Sequence, residues 1–349
     1  AGTLETALDT YCADLAANSV NSSNSKIAAQ AQWQSTMTNW QKSEAFQFGP
    51  VVDGGVNSIR NRVYSWPSVS TCILDGGVVD YEDNPGVFVV DAQSPRRIGL
   101  DGLEYLLFNE TLAHSCSTSS TTNSADGTPW NSRTDSERQL ARCHYAKVLA
   151  GDVMDQTTVL LNEWQKEGEN YLQQLATAGK GSSRYSSTKD AIKEVSDSLF
   201  YLDTEVKDHK LAIPTGLSTD CAASSCSDSV ESAWANHSTE NIHANLLGFL
   251  AVVENGLDDL LLAVGQESIA TDMVLNINSA LTQLEQFTGT LEEGVKTIDE
   301  TDCINTTSDN RIEPTCALHA DVKKITDQLK SDFVLALSLS LPAKAEGDN

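Results

Sequence analysis

The stretch Arg96-Arg-Ile-Gly-Leu-Asp-Gly-Leu-Glu-Tyr-Leu-Leu-Phe108 reads as a helix with two charges set into its apolar wall. Leu103, Leu106 and Leu107 fall at helical spacing and turn toward neighbouring helices. Asp101 and Glu104 stand three residues apart, so they project together from one face. Two carboxylates this close resist ionisation unless something positive compensates. Arg96 and Arg97 are the nearest candidates in sequence, and their guanidinium groups could form forked pairs with the acids. Gly99 and Gly102 weaken the first turn by roughly 1 kcal/mol each relative to Ala. Close backbone approach, a bend or an opening for a ligand would offset that cost. Two readings stay open from the residues alone: a salt-bridged helix start, or a place where carboxylates meet an incoming metal or ligand.

The same periodicity extends along the chain. Leu4, Leu8, Tyr11 and Leu15 form one stripe, Ile192, Val195, Leu199, Leu202 and Val206 a second. A third runs from Ile277 through Leu281, Leu284, Phe287 and Leu291 to Val295 and Ile298. Further helices are expected at about 26–46, 136–178, 236–265 and 317–340, where the apolar spacing persists. The 136–178 segment either breaks at Gly151 or continues as one long helix. Strand-like patterning is confined to Gly86-Val-Phe-Val-Val90. Pro- and Gly-bearing loops lie at 48–55, 65–67, 75–77 and 214–228, and residues 115–134 form a polar, low-complexity tract. The fold class expected is all-α, with two helical domains at 1–150 and 151–349 and a weak suggestion of duplication.

Composition narrows the function. The chain has 349 residues, with 49 Asp plus Glu against 23 Lys plus Arg, a formal charge of −26. Such a field repels phosphate backbones and anionic lipid, so nucleic acid is not an expected partner. The acidity supplies solubility, as in salty or cold water, or attracts cations. No apolar run approaches the roughly 20 residues of a membrane span. Eight cysteines show no metal-type spacing, which points to disulfides and an oxidising compartment. Local spacing suggests Cys221 with Cys226 and Cys303 with Cys316, leaving Cys12, Cys72, Cys116 and Cys143 to pair among themselves. Export would place Ala1 at or near a processed terminus.

Several pieces in this order resemble the imelysin-like family of exported bacterial proteins. They are Glu44-Ala-Phe-Gln-Phe-Gly-Pro-Val51, Trp66-Pro67, the glycine-led helix with Glu104-Tyr-Leu-Leu-Phe108, Glu231-Ser-Ala-Trp-Ala-Asn-His-Ser238, and Asn245-Leu-Leu-Gly248. The close of the chain, Leu339-Ser-Leu-Pro342 followed by Gly347-Asp348, is similar too. The resemblance implies two packed four-helix bundles with a cleft between them, and a link to iron uptake at the periplasm or cell surface. It also implies a G-x-H-x-x-E signature at the cleft, which falls here on Gly99, Asp101 and Glu104. The histidine position is Asp101, so an imidazole ligand is missing, and an Asp/Glu pair favours hard cations such as calcium, magnesium or iron(III).

Hydrolytic zinc chemistry needs about three protein ligands and an activated water, and the sequence contains no H-E-x-x-H. The six histidines are scattered, and no G-x-S-x-G elbow is present. His237 could add a nitrogen ligand to Asp101 and Glu104, or it could belong to a helix cap in which Ser238 accepts a backbone N–H. Gly49 could expose backbone donors to an anionic ligand, while Phe48-Gly-Pro50 also reads as a helix stop. The function expected is non-enzymatic binding of a metal ion or metal-bearing ligand, alongside cell-surface iron-uptake components. Asp101, Glu104 and His237 would bind the metal. Gly99 and Gly102 would leave room for the ligand, with Arg96 or Arg97 balancing charge or contacting an anion. The rivals are a metallopeptidase and a surface adhesin or polysaccharide-binding module.

Overall fold

The computed structural model describes residues 1–117 and 129–345, so much of the polar 115–134 tract and the Gly347-Asp348 pair lie outside the described residues. The chain is all-α: no strand occurs among the described residues. It divides into two compact units, Ala1–Met37 with Gly49–Gln173, and Thr38–Phe48 with Gln174–Asn349.

The first unit is organised by one long helix. In chain order its helices are α1 (Gly2–Ala16), the first part of α2 (Ser22–Ser43), α3 (Ile59–Val63), α4 (Thr71–Asp83), α5 (Gly99–Phe108), α6 (Asp135–Trp164) and the first half of α7 (Tyr171–Ala176). Helix α6 packs against α1, α3, α4 and α5. A capping box starts it: Thr134 accepts from the Glu137 amide while Glu137 reaches back to the Thr134 amide. It runs unbroken through Gly151 and ends at Trp164, so the expected 136–178 helix is two helices, and this unit continues past residue 150. Leu4, Leu8, Leu74, Leu103, Tyr145 and Leu149 are buried in its core. Two disulfides close it, Cys12–Cys143 between α1 and α6 and Cys72–Cys116. The strand-like 86–90 piece is instead irregular chain leading into a short 3₁₀ turn, Val90–Ala92. Its apolar pattern serves an aromatic anchor, because the Phe88 ring meets Tyr81 at 5.5 Å and Tyr145 at 5.7 Å, edge to face.

The second unit receives the end of α2 and adds α8 (Thr188–Leu199), a π-wound segment Leu202–Ala212 that leads into α9 (Ile213–Thr215), and α10 (Ser238–Val252). After these come α11 (Asp258–Ala263), α12 (Glu267–Gln286), α13 (Leu291–Gly294), α14 (Glu300–Ile304), α15 (Pro314–Gln328) and α16 (Val334–Ala336). The π-wound segment, α15, α12 and α10 pack each on the next, closing a ring around Leu246, Phe249, Ile277, Leu318, Ile325 and Phe333. The 236–265 and 317–340 segments keep their helical course, but each passes through a π-wound piece, Val253–Leu257 and Leu329–Phe333. The stripe expected from Ile277 to Ile298 is shared between α12 and the short α13, with Leu291 and Val295 buried after the break. Cys221–Cys226 and Cys303–Cys316 form as the spacing suggests.

Candidate functional site

Helix α5 opens at Gly99, whose φ of +86° is a left-handed backbone geometry that side chains disfavour. A methyl group there would meet the carbonyl oxygens of Arg62 and Val63 at 2.9 Å, so the glycine admits neighbouring backbone. At Gly102 a methyl would press on Leu74 and Leu149 at 3.1 and 3.2 Å. The room left by both glycines is therefore filled by protein.

Asp101 is 2% exposed and Glu104 3%. The Ser65 amide donates to Asp101 Oδ2 at 3.1 Å and the Gly102 amide to Oδ1 at 3.0 Å. Ser65 Oγ lies 2.8 Å from Asp101 Oδ2 and 2.9 Å from the Pro95 carbonyl oxygen. One hydroxyl proton cannot serve both acceptors at once. Burial without a cationic neighbour pushes the Asp101 carboxyl up to about 6, against the lowering effect of the Ser65 and Gly102 bonds. When Asp101 carries a proton, it can donate to Ser65 Oγ, which then donates to Pro95.

The arginines of the quoted stretch serve elsewhere. Arg97 pairs with Asp80 at 2.7 Å, and Arg96 Nε donates to the Ser68 carbonyl at 3.2 Å. At Asp101 the forked pairing is replaced by hydrogen bonding from Ser65, a residue that no sequence pattern singles out. Gly49 is also taken up by packing: its φ is +63°, and a methyl there would overlap the Tyr171 ring at 2.5 Å. A backbone held against an aromatic face offers no open anion cradle.

In the second unit His237, not Ser238, occupies the N-cap position of α10. His237 Nε2 lies 3.3 Å from Thr38 Oγ1, and burial lowers its pKa, so the ring is neutral near pH 7. Ser238 Oγ is fully buried and completes no hydrogen bond, so the expected hydroxyl cap is absent. Beside it, burial pushes the Glu292 carboxyl up to about 7, outweighing the Ser238 amide, which favours the charged form.

A larger polar network missed from sequence joins two of the quoted motifs. Lys210 Nζ, wholly buried, lies 3.0 Å from Glu231 Oε1 and donates to Gln41 Oε1 at 2.7 Å and Asn245 Oδ1 at 2.8 Å. Gln41 Nε2 donates to Glu231 Oε1 at 3.2 Å, and Asn245 Nδ2 donates to the Gln41 carbonyl at 2.8 Å. Gly248 lets this happen, since a methyl there would strike the Lys42 carbonyl oxygen at 2.1 Å. The sequence offered no signal for it, because Lys210 sits at the end of the polar run Lys207-Asp-His-Lys210.

Among the described residues no group of three or more His, Cys, Asp or Glu side chains is placed to hold a metal ion. Both Asp101 oxygens already accept backbone or hydroxyl donors, which leaves the carboxylate poorly suited to coordination. The arrangement can hold backbone and move a proton at Asp101 Oδ2; it does not fit a hydrolytic metal.

The sequence profile of the imelysin family, peptidase M75, matches residues 1–315. The chain belongs to the imelysin family. Among solved structures it is similar to an imelysin-like protein from Psychrobacter arcticum 273-4, with 17% identity, a TM-score of 0.66, and coverage of 98% of this chain and 91% of that one. It is also similar to a putative iron-regulated protein A precursor from Parabacteroides distasonis ATCC 8503, with 15% identity, a TM-score of 0.59, and coverage of 94% and 90%. No curated protein matches it. Within this imelysin fold, no helix among the described residues is long and apolar enough to cross a membrane.

Proposed function

We propose that this imelysin-family chain is an exported binding protein of iron acquisition, taking up an iron-bearing ligand without hydrolysing anything. The observation that carries the non-enzymatic part is Asp101: at the family's histidine position stands a buried carboxyl whose oxygens hold Ser65 and Gly102 in place. A peptidase would need there a group free to hold a metal or activate water. Four disulfides support function in an oxidising compartment, periplasmic or at the cell surface. The iron link rests on family membership and on the iron-regulated neighbour.

The test is calorimetric titration of the purified protein with ferric citrate, calcium and zinc, beside a casein-cleavage assay with the same metals. Expected are saturable binding of ferric citrate, equal binding by Asp101→Asn, and no cleavage. Metal-dependent casein cleavage abolished by Glu104→Gln would establish the peptidase instead. Absence of ferric binding would remove the iron-carrier role.

A further inference from the structure

The π-wound piece Val253–Leu257 that follows α10 departs from helical backbone at Asn255 and Gly256, and beside this break the second unit leaves a groove of about 440 Å³. That volume lies in the range for small ligands, roughly 300–1,000 Å³. Phe46, Leu175, Ile192, Val195 and Leu260 supply its apolar wall, and none of the residues lining it is charged. In a chain with a formal charge of −26, an uncharged hollow of this size is a local exception. Phe46 remains 41% exposed at its edge.

One polar group gives the groove a direction. Ser196 lines it, is 2% exposed, and its hydroxyl completes no hydrogen bond. Leaving a buried hydroxyl unpaired is unfavourable, and a ligand oxygen or nitrogen would recover that loss. The other polar side chains of the wall are already engaged: Thr188 Oγ1 donates to the Ala178 carbonyl at 3.3 Å and Asn255 Nδ2 to the Ala251 carbonyl at 2.7 Å.

We infer that this groove binds one neutral, largely apolar small molecule carrying a single hydrogen-bonding group, with the apolar body against Ile192 and Val195 and the polar group at Ser196. An anionic amphiphile is disfavoured, because the wall offers no cation and the protein's field opposes negative charge. The inference is independent of the iron reading.

The probe is N-phenyl-1-naphthylamine, neutral and brighter in apolar surroundings, added to the full chain. Expected is a saturable rise in emission at one site, reversed by decanol and at least about tenfold less readily by decanoate. Ala251 is exposed at the rim, so Ala251→Trp covers the groove without entering the core. That variant should unfold like the parent and bind at least about tenfold more weakly. Ser196→Ala should leave folding intact and weaken decanol about threefold to tenfold, the worth of one hydrogen bond. No saturable rise, undiminished binding by a folded Ala251→Trp, or equal displacement by decanoate overturns the inference.

Discussion

Ser65 and Asp101 share a proton across 2.8 Å, with the Pro95 carbonyl competing for it at 2.9 Å. Because burial raises Asp101 from 3.8 to about 6 in the folded chain, its contribution favours folding in full below pH 4 and is lost as pH rises through 6. The shift corresponds to about 3 kcal/mol between those limits. Urea unfolding followed from pH 4 to pH 8 should show this loss in the parent and a flatter profile in Asp101→Asn. Identical profiles would refute the assignment. Ser65→Ala removes one of the bonds that lower the Asp101 carboxyl, so the loss should still begin near pH 4 but run on to higher pH, and the variant should be less stable at pH 8.

The Lys210–Glu231 pair is fully buried on both sides. Lys210→Met strands the Glu231 carboxylate and should cost about 3–5 kcal/mol in chemical unfolding. The double variant Lys210→Met/Glu231→Leu should recover much of that loss. If the double variant is no more stable than the single, the charge on Glu231 is not what Lys210 compensates.

Gly49→Ala combines a left-handed backbone with a methyl inside the Tyr171 ring. A drop of more than about 2 kcal/mol in unfolding free energy is expected. Adding Tyr171→Ala should relieve the overlap and leave only the backbone part. A neutral Gly49→Ala would show that the ring moves aside freely.

Cys12–Cys143 spans 131 residues of sequence and ties α1 to α6. Replacing both with alanine should lower stability by about 2–5 kcal/mol and lower the melting temperature. Cys221–Cys226 encloses only a short loop, with a separation of 5, so its removal should matter less. The order of the two melting temperatures checks this.

Helix α5 was legible because glycine at its head and leucines at threes and fours leave few alternatives to a buried helix. The shared face of Asp101 and Glu104 was legible for the same reason. What holds Asp101 was not: Ser65 lies 36 residues upstream, and nothing in a serine's neighbourhood marks it as a partner for a buried acid. Arginines close in sequence were a natural expectation, yet Arg97 pairs with Asp80, one helix away. The π-wound pieces Val253–Leu257 and Leu329–Phe333 were not legible because a single wider turn barely disturbs the apolar spacing. Residues 86–90 misled because alternation over so few residues suits an aromatic anchor as well as a strand.

Lys210 depends on Gln41, a residue made long before it, and the two are separated in sequence by most of the first unit. The second unit is therefore not a contiguous cassette. A fragment starting at Gln174 would inherit a buried ammonium short of one acceptor and a glycine notch at Gly248 with nothing to fill it. During synthesis the early segment must wait, unfinished, until the chain returns with its counterpart. Supplying residues 38–48 in trans as a peptide should restore what truncation takes away.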